Sequence, residues 1–165
     1  TAALGVAQTA QVLALVKLLA EQGPEALTVR RIAGEAGMST MNVYSRFGGK
    51  DGVIDELFSE DAVFRSPVVY GPYAGREAIK LILGAVLNVF EDFRYTAQLE
   101  DGDTAVLVFE TRVGEREVQG VDMLTFGADG RIVELTVMVR PMSGMHALAE
   151  RMGELLEAAG APPAA

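Results

Sequence analysis

The chain has 165 residues, of which 50% are apolar and 22% charged, a composition that fits a folded protein and excludes a disordered one. It has no cysteine and a single histidine, His146, so disulfides and thiolate metal sites are excluded, and we expect neither metal nor cofactor. No apolar run reaches the ~20 residues of a membrane span, and residues 1–4 lack the basic start of a signal peptide, so we expect a soluble cytoplasmic protein without membrane contact.

The net charge of −9 is unevenly distributed along the chain. Residues 1–50 carry five basic and three acidic side chains, whereas residues 51–165 carry nine basic and twenty acidic ones. This asymmetry fits a DNA-facing head on an acidic body that DNA would repel. The basic excess of the head is small, so charge alone does not separate DNA binding from chance.

The first fifty residues have the pattern of three helices. An amphipathic stripe of apolar residues ends at Gly23-Pro24, where a helix cannot continue. Thr28 stands at the N-cap of a second helix that stops at Gly37, and Ser39 caps a short third helix. Two short helices around a glycine-containing turn predict a helix-turn-helix, whose second helix enters the major groove of DNA.

The segment from Thr28 to Asp51, TVRRIAGEAGMSTMNVYSRFGGKD, resembles the DNA-binding domain of TetR-type repressors. The resemblance implies that Thr28, Tyr44 and Lys50 contact phosphates of the DNA backbone and that the residues from Ser39 to Ser45 line the major groove. A hydroxyl on a rigid stem and a lysine at the start of the next helix suit those phosphate contacts. The predicted DNA-binding residues are Thr28, Arg30, Ser39, Thr40, Met41, Asn42, Tyr44, Ser45 and Lys50.

Two features depart from the TetR pattern. Met41 occupies a position where a small residue is common, and it offers only an apolar contact, for instance to a thymine methyl. The basic residues that usually precede the first helix are missing. A helical bundle that keeps the shape without binding DNA is the alternative interpretation of this head.

Residues 50–59 have the apolar spacing of one helix, with Ile54, Leu57 and Phe58 among its apolar residues. In TetR-type proteins this helix leads into an all-helical domain, but strand patterns follow here. No Gly/Ser/Pro spacer intervenes, so we expect a stiff joint. We place a DNA-binding domain at residues 1–58 and an α+β domain at residues 59–165.

The second domain has the pattern of a helix, an antiparallel meander and a closing helix, which predicts the α+β class. The predicted elements are a short strand at 62–65, a helix around 79–90, strands near 94–100, 105–113, 116–126 and 131–139, and a helix around 145–156. A two-residue hairpin turn is predicted at Gly114-Glu115.

This segment resembles the SnoaL-like polyketide-cyclase group, within the superfamily of nuclear transport factor two and ketosteroid isomerase. The resemblance is carried by SPVV at 66–69, YAGREAI at 73–79, GVD at 120–122, DGRI at 129–132 and VMVRP at 137–141. It implies a cone-shaped α+β domain, which we call the cone, with a curved antiparallel sheet. Since the superfamily includes enzymes, binding proteins and subunit adaptors, the fold does not settle the function.

The turn at Gly114-Glu115 predicts the register of its two strands and therefore the faces of the sheet. One face is largely apolar and includes Leu107, Phe109, Gly120 and Asp122; a four-residue turn at 127–130 adds Leu135 to it. The opposite face, which we call the mixed face, combines apolar and charged residues and suits a dimer interface. Its predicted members are Val106, Val108, Glu110, Arg112, Gln119, Val121, Met123, Glu134, Met138 and Arg140.

Asp122 is the residue whose chemistry needs explaining. A carboxylate among Leu107, Phe109 and Leu135 should have a pKa raised by desolvation, as general acids and bases do. In the resembling enzymes an acidic residue in this pocket moves protons. The alternative is a structural carboxylate bonded to backbone or to Tyr70, Tyr73 or Tyr95. The predicted ligand pocket comprises Asp122, Phe109, Leu107, Gly120, Leu135, Tyr70 and, at its mouth, His146.

Three functions fit these patterns. The first is a transcription regulator that binds an inverted-repeat operator in double-stranded DNA as a homodimer, while the cone senses a small hydrophobic ligand. The second is a cyclase or isomerase that uses Asp122 as general acid or base. The third is a DNA-binding dimer whose cone is purely structural. The match at residues 28–51, and a pocket with one acid and no evident second catalytic group, favour the first.

Overall fold

The computed structural model describes residues 54–160 except residues 56 and 87. These residues comprise the predicted C-terminal domain and the last part of the segment that leads into it. The predicted DNA-binding residues, from Thr28 to Lys50, lie outside the described residues, as do the first residues of the helix predicted at 50–59.

Six strands and two helices form the described part of the chain. In order they are β1 (Phe58–Arg65), β2 (Tyr73–Ala74), α1 (Arg76–Val86), β3 (Glu91–Asp101), β4 (Thr104–Val113), β5 (Arg116–Phe126), β6 (Ile132–Arg140) and α2 (Met142–Ala158). The α+β class and the succession of helix, meander and closing helix are confirmed. The helix α1 ends at Val86, so Phe90, predicted on its apolar face, lies beyond it and just before β3.

The strands form one curved sheet in the order β2-β1-β6-β5-β4-β3. The prediction of an antiparallel sheet is wrong at one pairing, because β1 runs parallel to β6, with Phe64 beside Leu135. A parallel pairing is available there since α1 and four strands separate the two elements in sequence, and no tight turn forces them to be antiparallel. The sheet is therefore mixed.

The hairpin of β4 and β5 has the predicted register, with Phe109 opposite Gly120 and Leu107 opposite Asp122. Its turn requires a residue with positive φ, and Gly114 supplies it at 58°. The next hairpin departs from a regular four-residue turn, which would set Leu135 opposite Asp122. Phe126 pairs with Ile132, so the turn is one residue longer, and an irregularity between Thr125 and Phe126 adds another; Leu135 therefore lies opposite Leu124 and Val137 opposite Asp122.

The core lies between one face of the sheet and the two helices. Ile79 and Ile82 project from α1, one turn apart, into the larger apolar cluster, which also contains Leu107 and Leu124. On α2, Leu148 packs into a second cluster with Val118. Both helices thus cover the face that carries Asp122, and among the described elements no helix covers the mixed face.

The chain enters the cone through a helical segment that is already part of the core. Ile54, Asp55 and Leu57 are helical, and Ile54 is only 3% exposed. The predicted helix was extended too far, because Phe58 is the first residue of β1, pairs with Ile132 and is buried. Its ring is more stable inside the apolar cluster than on a solvent-facing helix end.

The helix α1 holds this entry segment by charged contacts. The guanidinium of Arg76 lies 3.0 Å from Asp55 Oδ1 and donates to the backbone oxygens of Asp55 and Phe58, at 2.6 and 3.2 Å. The ammonium of Lys80 lies 2.7 Å from the same carboxylate oxygen of Asp55. We call these contacts the entry clamp.

Candidate functional site

Asp122 lies in the middle of β5, with Leu107 of β4 on one side and Val137 of β6 on the other. Strand alternation directs its side chain to the same face as its neighbours Gly120 and Leu124, the face that the helices cover. The predicted placement of a carboxylate in apolar surroundings is therefore correct, with Val137 as the directly opposite residue in place of Leu135.

Tyr95 of β3 is the tyrosine that contacts this carboxylate. Its hydroxyl donates a hydrogen bond to Asp122 Oδ2 at 3.0 Å. Of the other two candidates, Tyr73 lies on β2 with its ring 6.2 Å from that of Phe64, and Tyr70 is fully exposed. Of the three tyrosines named as possible partners of Asp122, Tyr95 is the one that bonds to it.

The environment of the pair changes both pKa values. Burial raises the pKa of Asp122 from 3.8 to about 7, while the hydrogen bond from Tyr95 acts in the opposite direction. Burial first, and then the charge and hydrogen bond of Asp122, raise the pKa of Tyr95 well above its usual range. The phenol therefore keeps its proton and acts as donor, while the carboxyl changes charge close to neutral pH.

Four aromatic rings form a continuous group beside Asp122. Phe93 contacts Tyr95 edge-on at 5.0 Å between ring centroids and stacks on Phe109 at 5.1 Å. Phe90 lies 5.7 Å from Phe93 and 5.6 Å from Phe109. We call Phe90, Phe93, Tyr95 and Phe109 the aromatic group. Of these four residues only Phe109 was predicted to line the pocket, although three aromatic residues within 90–95 are a signal that the sequence carries.

Gly120 leaves space beside Asp122, but the ring of Phe109 fills it. A Cβ atom on Gly120 would lie 2.1 Å from Phe109 Cζ and 2.7 Å from the backbone oxygen of Met138. Gly120 was predicted to line the ligand pocket, but the space at this glycine is taken by the side chain of a core phenylalanine on the adjacent strand.

The remaining predicted pocket residues divide into two groups. Leu107, Phe109 and Leu135 are buried in the core beside β5. Tyr70, in the loop before β2, and His146, on α2, are exposed. The structure brings together Asp122, Leu107, Phe109 and Gly120, and places Tyr70 and His146 at the surface.

Two further features concern the described residues as a whole. No three of their histidine, aspartate and glutamate side chains lie together as a metal ion would require. No helix among them is long and apolar enough to cross a membrane.

The mixed face has an apolar centre and a paired polar margin. Across the strands Val106 lies opposite Met123, and Val121 opposite both Val108 and Met138. The charged and polar residues around this centre are joined by contacts of 2.5–3.1 Å, between Arg94 and Glu110, Arg65 and Glu134, and Arg140 and Gln119. An apolar centre inside a polar rim is the usual composition of a protein–protein interface.

Comparison with known families matches two regions of the chain. Residues 42–135 match the family described as SnoaL-like domain. Residues 13–57 match the family described as bacterial regulatory proteins, tetR family. The two matched regions overlap at residues 42–57. A search of curated proteins gives no match.

Solved structures resemble the cone. A steroid delta-isomerase from Pseudomonas aeruginosa is 49% identical over 72% of this chain and 87% of its own, with a TM-score of 0.64. A protein with a cystatin-like fold from Silicibacter pomeroyi is 32% identical over 66% of this chain and 77% of its own, with a TM-score of 0.63. A putative SnoaL-like polyketide cyclase from Jannaschia, 15% identical over 66% of this chain and 88% of its own, shares the fold, with a TM-score of 0.51.

Proposed function

Because the chain belongs to the SnoaL-like family and its residues 13–57 match tetR-family regulators, we propose that it is a transcription regulator. Its N-terminal head binds an inverted-repeat operator in double-stranded DNA as a homodimer, and its cone senses a small hydrophobic ligand. The observation that carries this proposal is the tetR-family match, since a cone that acted only as an enzyme would have no use for a DNA-binding head.

The DNA-binding role rests on the residues that the tetR-family match contains. Tyr44 and Lys50 are assigned to phosphates and Asn42 to base edges, and all three lie within residues 13–57. One recognition helix reads few base pairs, so two heads in a homodimer are needed for useful affinity.

We expect Tyr44→Phe and Lys50→Ala to weaken binding to all DNA sequences alike, and Asn42→Ala to relax base preference by about 1–3 kcal/mol at one position. The measurement is fluorescence anisotropy with DNA selected by the protein from a random pool. Arg151→Ala, which removes an exposed charge on α2, is the control and should bind as the unchanged chain does. Absence of any DNA binding by micromolar protein at ~50 mM salt would refute the regulator.

The entry clamp supports the coupling of the cone to the head. Asp55, in the last helical residues before β1, contacts Arg76 and Lys80 on α1, and α1 also packs against the core through Ile79. A change in the cone's core is thereby passed to the segment that continues towards the head. A ligand regulates DNA binding only if it binds the two states unequally, by ~1–3 kcal/mol for a useful switch.

The mixed face supports the homodimer. Met138 on this face is 54% exposed, and the apolar centre that it shares with Val121 and Met123 has no covering helix among the described elements. A second copy of the same face would bury this centre and leave the paired charges at the rim, as in other interfaces of this kind.

Met123→Glu should convert the protein to monomers, because each interface would bury two unpaired carboxylates at a cost of about 3 kcal/mol or more. Sedimentation velocity measures the outcome. Met142→Glu is the matched control, since Met142 lies exposed at the start of α2, and it should leave the dimer intact. An unchanged sedimentation coefficient for Met123→Glu would refute this interface.

A second candidate function is an isomerase or cyclase. The observation that favours it is the pair of Tyr95 and Asp122, with a carboxyl of pKa about 7, in a chain 49% identical to a steroid delta-isomerase. A group that is half protonated near neutral pH can both accept and deliver a proton. If the protein isomerises a steroid and Asp122→Asn lowers the rate by about 100-fold or more, the enzymatic function is established. If the protein binds operator DNA and does not isomerise steroids, the regulator is the remaining function.

A further inference from the structure

The carboxylate of Asp122 has no positive charge near it among the residues described. Its hydrogen-bond partner is the neutral hydroxyl of Tyr95, at Oδ2, and no charged side chain of the described residues acts on its pKa. The arginines on neighbouring strands lie on the mixed face and are paired there, Arg112 with Glu91 and Asp92 and Arg140 with Gln119. A charged Asp122 is thus uncompensated, which costs free energy in apolar surroundings.

The aromatic group adds a second feature at the same place. Phe93 and Phe109 are buried and stack on each other at 5.1 Å, whereas Tyr95 and Phe90 are only partly buried, and Tyr95 touches Asp122. The faces of aromatic rings carry partial negative charge and attract cations, most strongly where water is excluded. The carboxylate and the accessible rings of this group therefore favour the same sign of ligand charge.

We propose that the cone binds a hydrophobic organic cation, such as a protonated aromatic amine, with its ammonium group at Asp122 Oδ1 and its apolar part against the aromatic group. This rests on the proposed ligand-sensing function and adds the chemical class of the ligand. A cation compensates the buried charge, a neutral alcohol satisfies only the hydrogen bond, and an anion is repelled.

A metal ion is a poorer occupant than an organic cation. Hard cations take six or more oxygen ligands, whereas Asp122 is a single carboxylate and no group of three such residues occurs in the described part of the chain. The apolar neighbours Leu107 and Val137 suit the carbon skeleton of an organic molecule and offer nothing to a hydrated ion.

The test uses three naphthalene probes of one shape and different charge: 2-naphthylmethylamine, which is protonated at neutral pH, 2-naphthylmethanol and 2-naphthoate. Binding to the full chain is measured by calorimetry. We expect the amine to bind about tenfold more tightly than the alcohol, and the naphthoate to bind most weakly. Asp122→Asn should abolish the preference for the amine and change the affinity for the alcohol little.

A further variant separates this site from general attraction to an acidic protein. Glu150→Gln removes one exposed charge on α2 and should keep the full preference for the amine. If the amine and the alcohol bind equally, or if naphthoate binds most tightly, the ligand is not an organic cation, although the cone still binds a ligand. Binding of none of the three at millimolar concentration would overturn the sensor as well.

Discussion

Asp122→Asn is expected to remove most of the pH dependence of the cone's stability between about pH 4 and pH 7. The pKa of Asp122 is about 7 in the folded chain, against an ordinary value of 3.8. Between these values the folded state binds the proton more strongly than the unfolded state, so the free energy of unfolding falls as pH rises through this window. At about 1.4 kcal/mol per pKa unit, the loss is about 4 kcal/mol.

The measurement is urea unfolding at several pH values from 4 to 8. The variant should match the unchanged chain at the acidic end, where Asp122 is protonated and neutral, and be more stable at pH 8, where only the unchanged chain carries the buried charge. The amide oxygen of Asn still accepts from the hydroxyl of Tyr95. Glu150→Gln, an exposed change of the same kind, should follow the unchanged chain throughout. A constant difference between Asp122→Asn and the unchanged chain at all pH values would show that Asp122 is charged in the fold at little cost.

Gly120→Ala is the second change with a large expected effect. The new methyl would overlap the ring of Phe109, at 2.1 Å from Cζ, and the backbone oxygen of Met138, at 2.7 Å. The ring of Phe109 is buried in the packed core and has no free space to turn into. The strand β6 cannot move without disturbing its pairing with β5. We expect a loss of about 3 kcal/mol in the free energy of unfolding.

Two companions make this prediction specific. Gly153→Ala in α2 meets nothing within 4 Å and should stabilise the chain by about 0.5–1 kcal/mol through helix propensity. Phe109→Leu removes the atoms that the methyl would strike, so the double variant with Gly120→Ala should lose less than the two single losses together. Strict additivity in thermal and urea unfolding would mean that Phe109 is not the obstacle.

The part of the site that follows from local geometry was predictable from sequence. A two-residue turn at Gly114-Glu115 allows one register, and that register places Asp122 beside Leu107 and Gly120 beside Phe109. The raised pKa of Asp122 then follows from its apolar neighbours. No long-range information was needed for these steps.

The features that depend on distant packing were not predictable. A turn one residue longer than predicted and the irregularity near Thr125 together shift β6 by two residues relative to β5, and no residue type there signals either. The choice of Tyr95 over Tyr70 depends on where β3 joins the sheet, which propensity does not encode. The parallel pairing of β1 with β6 likewise joins segments about seventy residues apart in sequence.

The entry clamp bears on how this protein would be cut or recombined. The boundary predicted between residues 58 and 59 looks natural on the sequence, but a fragment starting at 59 would lack Ile54 and Phe58 from its core and leave Arg76 and Lys80 without Asp55. An isolated cone for crystallisation, or a chimera with another head, should therefore retain the chain from before residue 54. Ile54, Asp55 and Phe58 are part of the folded cone. A fragment or chimera keeps the stability of the cone only if it includes them.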